Sequence, residues 1–289
     1  MSAFSCCNTF KMASWRSRHG PNWCHRFHVR IRACIRQRYP HSRKTEGVNE
    51  TDVPTFAGVF GGGGLFGIGY ALGIIHGLRD QGIDLTNAPM LGTSAGSWAA
   101  AATALNVTFD ELVSLPVPSF PNPKPNALAT VAKIAFGERT ASNVRVVVTS
   151  VPRLKRVVLS GEHTPLAQLV AASSAVPGLL APQKINGTRY VDGGVRSGVS
   201  VDLASPAQTL VIVAPLAGAM FGPFGRYVEG KTDKEQEMWL TENEGRFLEF
   251  SPRQSTADIA KLPQHLFDKA RAIEAYHRGR DETSSTTIM

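Results

Sequence analysis

The sequence predicts an α/β fold built on a mainly parallel sheet, and two observations carry that prediction. Residues 55–105 read strand, glycine-rich turn, helix, strand, tight turn, helix, the order expected of parallel strands joined by right-handed crossovers. Short apolar runs farther on, VRVVV at 144–148 and TLVIVA at 209–214, have the length and β-branched content of interior strands.

Taken in order, residues 55–60 (TFAGVF) form the first strand of this reading, and the glycine loop 61–67 ends it. Residues 68–79 (IGYALGIIHGLR) follow at helical spacing. Residues 89–91 close a second strand that runs into Gly92-Thr93-Ser94-Ala95-Gly96, and 97–105 (SWAAAATAL) is a helix by propensity. Residues 116–125 hold five prolines. No helix or central strand survives that density, so the segment is an extended loop between short helices at 109–115 and 127–136, placed as a cap over a site. Strands follow at 144–148 and 156–159, then a helix at 165–173. Asn186-Gly187 turns a hairpin between 184–185 and 188–191. After the strand at 209–214, residues 218–230, rich in glycine, proline and aromatics, read as loop. Helices at 231–241 and 256–279 flank a strand at 246–250, and 280–289 reads as a polar tail.

The charge is unevenly spread. Residues 1–45 carry ten Lys/Arg and no acid, whereas the rest of the 289-residue chain holds 21 basic against 23 acidic residues, a net of −2. The overall +8 therefore belongs to the N-terminal segment, and no nucleic-acid footprint is expected on the folded domain. All four cysteines (Cys6, Cys7, Cys24, Cys34) lie in the same segment, which leaves the body without thiolate metal sites or disulfides. A zinc knuckle from those cysteines with His25 and His28 is disfavoured because adjacent Cys6-Cys7 breaks the usual C-x₂₋₄-C spacing. The division expected is a basic, disordered segment over 1–50, a catalytic domain over 51–280 and the tail over 281–289. Three readings of the first segment stand open: an Arg-rich organelle transit peptide, a basic tail for anionic lipid, or disorder, including a true start downstream at Met12. No apolar run approaches the roughly 18–20 residues that span a bilayer, so a cytoplasmic or peripheral membrane protein is expected.

The chemistry concentrates in three places. Gly92-Thr93-Ser94-Ala95-Gly96 is a G-x-S-x-G nucleophile elbow, in which flanking glycines permit the sharp strand-to-helix turn that presents a serine hydroxyl. Upstream, Gly61-Gly62-Gly63-Gly64 can converge backbone N–H groups on one oxyanion. The run also contains G-x-G-x-x-G (Gly62, Gly64, Gly67), but the acid a dinucleotide site needs is not convincingly present, and the next strand leads into the serine. A base completes acyl chemistry. His265 and His277 are the histidines late enough for a Ser…Asp…His order, but both fall in a polar helical stretch. His76 and His163 read as packing or surface residues. Asp192, at a strand end before Gly193-Gly194, is the better candidate.

These motifs, with AASSAVPG at 171–178 and GTRYVDGGV at 187–195, resemble in order and spacing those of patatin-like phospholipases over residues 55–215. The resemblance implies a three-layer α/β/α fold. It also implies a serine hydrolase acting on lipid or acyl-ester substrates through a Ser94–Asp192 dyad, with Gly62, Gly63 and Gly64 holding the oxyanion and no metal or cofactor. Non-phospholipid esterase, thioesterase or acyltransferase activity, and a non-catalytic lipid-binding role, are the alternatives. One departure stands out: the family's D-G-G-G-x-R/K-G loop has Gly61 here in place of the aspartate and Phe66 in place of the cation. Phe60, Leu65, Phe66, Trp98 and the proline loop are candidates to line an acyl pocket, core packing being the commoner role.

Overall fold

Alternate residues of the central strands face opposite sides of one sheet, and both sides are dry. Ala57 and Val59 pack with Leu91, Val147, Leu210 and Ile212 on one face. Phe60, Met90, Val146, Val148, Val211 and Val213 pack on the other. A period of two with apolar residues on both faces is what a sheet between two helical layers demands.

The computed structural model describes residues 29–33, 53–118 and 121–284. Its strands are β1 (Val29–Ala33), β2 (Phe56–Phe60), β3 (Met90–Thr93), β4 (Val144–Val151), β5 (Lys155–Ser160), β6 (Gln183–Ile185), β7 (Thr188–Asp192), β8 (Thr209–Val213) and β9 (Arg246–Phe250). They form one sheet in the order β1-β9-β8-β2-β3-β4-β7-β6, with β5 also on β4. The five strands β9, β8, β2, β3 and β4 run parallel, and the pairs that add β1, β5, β6 and β7 are antiparallel. The helices are α1 (Gly64–Asp80), α2 (Ala95–Leu105), α3 (Phe109–Ser114), α4 (Ala127–Phe136), α5 (Leu166–Ser173), α6 (Pro223–Glu242), α7 (Gln254–Ala257) and α8 (Lys269–Ser284). Residues of α1, α2, α4 and α5 join the core on one face; Val228 and Trp239 of α6 join that on the other. The mixed α/β class with a mostly parallel sheet is as expected from sequence.

Close approach of α1 and α8 depends on small residues. A Cβ on Gly73 would fall 2.1 Å from the Tyr276 carbonyl oxygen, and one on Gly69 2.1 Å from that of Ala272. The contact fixes α8 and the chain before it, a 3₁₀ turn at Pro263–Phe267, over the start of α1.

Several boundaries differ from the sequence reading. Helix α1 begins at Gly64, inside the glycine run. Residues 223–230 are helical because Pro223 occupies the first turn of α6, where its missing N–H has no partner to lose and its fixed φ suits the helix. The single helix expected over 256–279 is broken, since Pro263 cannot continue one. The polar tail does not begin at 280: α8 runs through Ser284, and the carboxylate of buried Glu282 accepts from the Tyr70 hydroxyl at 2.7 Å and the Thr256 hydroxyl at 2.6 Å. Of the first fifty residues only 29–33 are described, as a strand antiparallel to β9. The targeting, disorder and zinc-knuckle readings otherwise lie outside the described residues.

Candidate active site

Three loops converge: two follow the parallel strands β2 and β3 at their carboxyl ends, where open α/β sheets generally hold their ligands, and the third follows β7, which runs antiparallel to β4. The first follows β2. Gly61 donates its N–H to the Val213 carbonyl at 2.8 Å and Gly62 donates to Gly198 at 2.9 Å. Gly63 lies at φ 153° and Gly64 at φ 60°, and a Cβ on Gly64 would meet the Leu266 carbonyl oxygen at 2.7 Å. Gly67 closes the turn by donating to Gly63 at 2.8 Å and packs against Ala95. With Gly61, Gly62 and Gly67 already committed, Gly63 and Gly64, at the start of α1, are the loop glycines whose N–H groups have no backbone acceptor among the described residues.

The second loop joins β3 to α2. Ser94 sits between them at φ 52°, ψ −119°, a left-handed conformation that costs a non-glycine residue on the order of 1–3 kcal/mol. The flanking glycines are sterically required. A Cβ on Gly92 would lie 2.4 Å from the Ser97 Cα, and one on Gly96 2.0 Å from the Phe60 carbonyl oxygen. The elbow is held from outside the pentapeptide: the Ser94 N–H donates to Ser173 Oγ at 2.8 Å, and Ser173 Oγ donates to the Val147 carbonyl at 2.8 Å.

The third follows β7. Asp192 is 4% exposed, donates its N–H to the Ala175 carbonyl at 3.0 Å, and accepts from the Gly194 N–H at 2.6 Å. Gly193 lets the chain lie on β4, since a Cβ there would be 2.4 Å from the Val147 carbonyl oxygen. Burial pushes the Asp192 carboxyl up to about 6, against opposing hydrogen bonds from the Ser94 side chain and the Gly194 N–H. Desolvation outweighs the donors, leaving a carboxylate basic enough to accept a proton near neutral pH.

Two cavities meet at Ser94. One, about 930 Å³ including its mouth, is apolar and is lined by Leu65, Ile68, Trp98, Leu112, Val131 and Leu179, among others. The proline loop contributes Pro116, Val117 and Pro118 to it, as the cap reading expected. The second, about 1270 Å³ including its mouth, holds Gly62, Gly63, Gly64, Ser94, Asp192 and Gly194, with Arg196 and Lys231 on its wall. Of the pocket candidates, Leu65 and Trp98 line the first cavity, whereas Phe60 and Phe66 are core. Phe66 is wholly buried with its ring stacked on Tyr70 at 6.4 Å. The residue standing where the resemblance expects a cation thus points away from the site. His265 and His277 line neither cavity. No cluster of three or more His, Cys, Asp or Glu side chains suited to a metal occurs among the described residues.

Sequence reasoning missed the residues that hold these loops. Ser173 and Ala175 lie in the AASSAVPG stretch and brace Ser94 and Asp192 respectively. On the other side, Glu235 of α6 accepts from Ser197 Oγ at 2.5 Å and the Val201 N–H at 3.0 Å. It thereby fixes the turn whose Gly198 carbonyl takes the Gly62 N–H. Burial raises the Glu235 pKa, partly offset by Ser197. Ser173→Ala leaves the buried Ser94 N–H and Val147 carbonyl short of a partner, at about 1–3 kcal/mol. It is expected to lower kcat on a soluble ester about ten- to a hundredfold with KM little changed, measured alongside a thermal melt.

Fold and site together define a mixed α/β protein with a serine elbow beside a buried aspartate. The family model described as patatin-like phospholipase matches residues 115–205, the stretch bearing Ser173, Ala175 and Asp192; the glycine loop and Ser94 lie upstream of it. The chain is also similar to the crystal structure of VipD from Legionella pneumophila, at 15% identity over 81% of this chain and 67% of that one, with a TM-score of 0.40. No curated protein matches the sequence. No helix among the described residues is long and apolar enough to cross a membrane.

Proposed function

We propose that this protein hydrolyses carboxylic esters of lipids with Ser94 as nucleophile and Asp192 as its sole acid–base partner. The observation that carries the reading is the strained Ser94 at the junction of two cavities, beside a buried carboxyl raised to about 6. Asp192 takes the Ser94 proton as Oγ attacks the ester carbonyl. The tetrahedral oxyanion is held by the amides of the Gly62–Gly64 loop, with Gly63 and Gly64 as the donors, each worth about 10²–10³ in rate. Collapse expels the alcohol, which leaves with the proton from Asp192. Water, deprotonated by Asp192, then attacks the acyl-serine; Ser94 regains its proton and the fatty acid departs. The apolar cavity takes the acyl chain and the second takes the leaving alcohol.

Turnover of a p-nitrophenyl ester and of phosphatidylcholine, without added metal, tests the reading. Turnover of both supports phospholipase action, and turnover of the first alone indicates an esterase or related acyl transfer. Loss of neither in Ser94→Ala contradicts the dyad. Filling the acyl cavity with Leu179→Trp is expected to raise KM for a long-chain p-nitrophenyl ester about tenfold or more while leaving the acetate ester nearly unaffected, as read from a chain-length series.

A further inference from the structure

Large apolar side chains are exposed at eight positions among the described residues, and three of them gather at one place. Val195 (46% exposed), Phe224 (48%) and Tyr227 (67%) all line the cavity that contains Ser94 and Asp192. Val195 follows the Asp192-Gly193-Gly194 loop. Phe224, Tyr227 and Lys231 recur at i, i+3 and i+7 along α6 and so share one face of it. The turn that presents them is built at a conformational cost: Phe221 adopts φ 51° and Gly222 φ 60°, and a Cβ on Gly225 would lie 2.2 Å from the Met220 carbonyl oxygen. A protein needing only a sealed surface gains nothing from holding two aromatic rings outward there.

The charges at this rim are cationic and open. Arg196, which lines the cavity, and Arg226, which neighbours Tyr227 in α6 outside the cavity's lining, are exposed, and neither guanidinium pairs with a described residue. Lys231 reaches back to the Arg196 carbonyl, tying α6 to the loop after Asp192. The nearest acids along α6, Glu229 and Asp233, are half-buried.

We infer that this rim is a lipid-docking face: Val195, Phe224 and Tyr227 enter the acyl boundary of an anionic membrane while Arg196 and Arg226 meet its headgroups. Apolar and aromatic residues ringed by cations are the composition of interfacial anchors, and anionic leaflets attract such cations from the surface. The face opens onto the leaving-alcohol cavity, so docking would bring a lipid ester to Ser94 without its passage through water. The inference rests on the proposed acyl hydrolysis for its purpose, but its test does not.

The test is co-sedimentation of the full chain, carrying Ser94→Ala to remove hydrolysis, with sucrose-loaded vesicles of phosphatidylcholine alone or mixed with phosphatidylglycerol. Phe224→Ser/Tyr227→Ser is expected to weaken partitioning about tenfold or more on both vesicles. Arg196→Gln/Arg226→Gln is expected to weaken it about fivefold per charge, on the anionic vesicles only. Ile134→Ser/Leu154→Ser, which removes exposed apolar residues outside α6, should change neither. Equal binding by the aromatic pair variant and its parent overturns the assignment, as does an equal loss in the control. A self-association seen by light scattering that this variant abolishes overturns it too, making the face an interface between copies. Phe224→Trp, which retains the aromatic body, should bind at least as tightly and shift its emission to the blue on vesicles. No shift counts against docking. Failure of ester hydrolysis with vesicle binding intact would sink the enzymatic reading alone.

Discussion

Ser94→Ala is expected to lower kcat on a soluble p-nitrophenyl ester by about 10⁴–10⁶-fold, the scale seen when a covalent nucleophile is removed, while the protein stays folded. Ser94 is half-buried and its hydroxyl contributes little to packing, so the chain loses the attacking oxygen and keeps the elbow, which Ser173 holds by the backbone N–H. Asp192→Asn should cost about 10³–10⁴ in kcat, because the amide cannot take a proton. The double variant should be hardly worse than Ser94→Ala alone, since the two act on one step. Additive losses would mean that Asp192 works on something other than Ser94. In the wild type, kcat/KM should rise about tenfold per pH unit at low pH and level off above about 6, where Asp192 becomes ionised.

Asp192→Asn is also expected to stabilise the fold, which separates lost chemistry from lost structure. The carboxyl titrates near 3.8 when solvated and at about 6 in the folded protein, where burial disfavours its charge. The folded state therefore binds this proton more tightly than the unfolded chain. Its contribution to stability is full below about 3.8 and is lost as pH rises through about 6. At pH 7.5 the ionised group destabilises the protein by on the order of 3 kcal/mol, and the isosteric amide removes that charge while keeping an oxygen for the Gly194 N–H. Urea or thermal melts should show the variant more stable at pH 7.5, by about 5 °C or more in Tm, with the gap closing toward pH 4. A variant less stable than wild type at pH 7.5 would mean that Asp192 is held by partners stronger than its desolvation. Sites that trade stability for reactivity commonly behave in the expected way.

What the sequence revealed was what steric necessity writes into it. Gly92, Gly96 and Gly193 are legible because a Cβ at each would strike backbone, and a strand, a serine and a helix around two such glycines leave few other readings. The parallel strands were visible as short β-branched runs for the same reason: both of their faces are buried. What stayed hidden was set by partners distant in the chain. Ser173 reaches Ser94 across 79 positions and Ser197 reaches Glu235 across 38, and neither pairing leaves a periodic trace. Composition misled where it conflicted with position. Pro223 marked the start of α6 rather than a loop, and Glu282 looked like tail because its buried partners, Tyr70 and Thr256, are 212 and 26 residues away. Gly62 shows a third limit, since a glycine run counts the amides but not those already spent on Gly198.

The dyad is tested most directly by labelling with a long-chain p-nitrophenyl alkylphosphonate, whose phosphorus accepts a serine oxygen and releases p-nitrophenolate. Intact mass and peptide mapping should show one adduct, on Ser94, forming at a rate that rises with pH around a midpoint of about 6 and falls by orders of magnitude in Asp192→Asn. An adduct on another residue, or labelling of Asp192→Asn at the wild-type rate, would contradict a Ser94 nucleophile activated by Asp192.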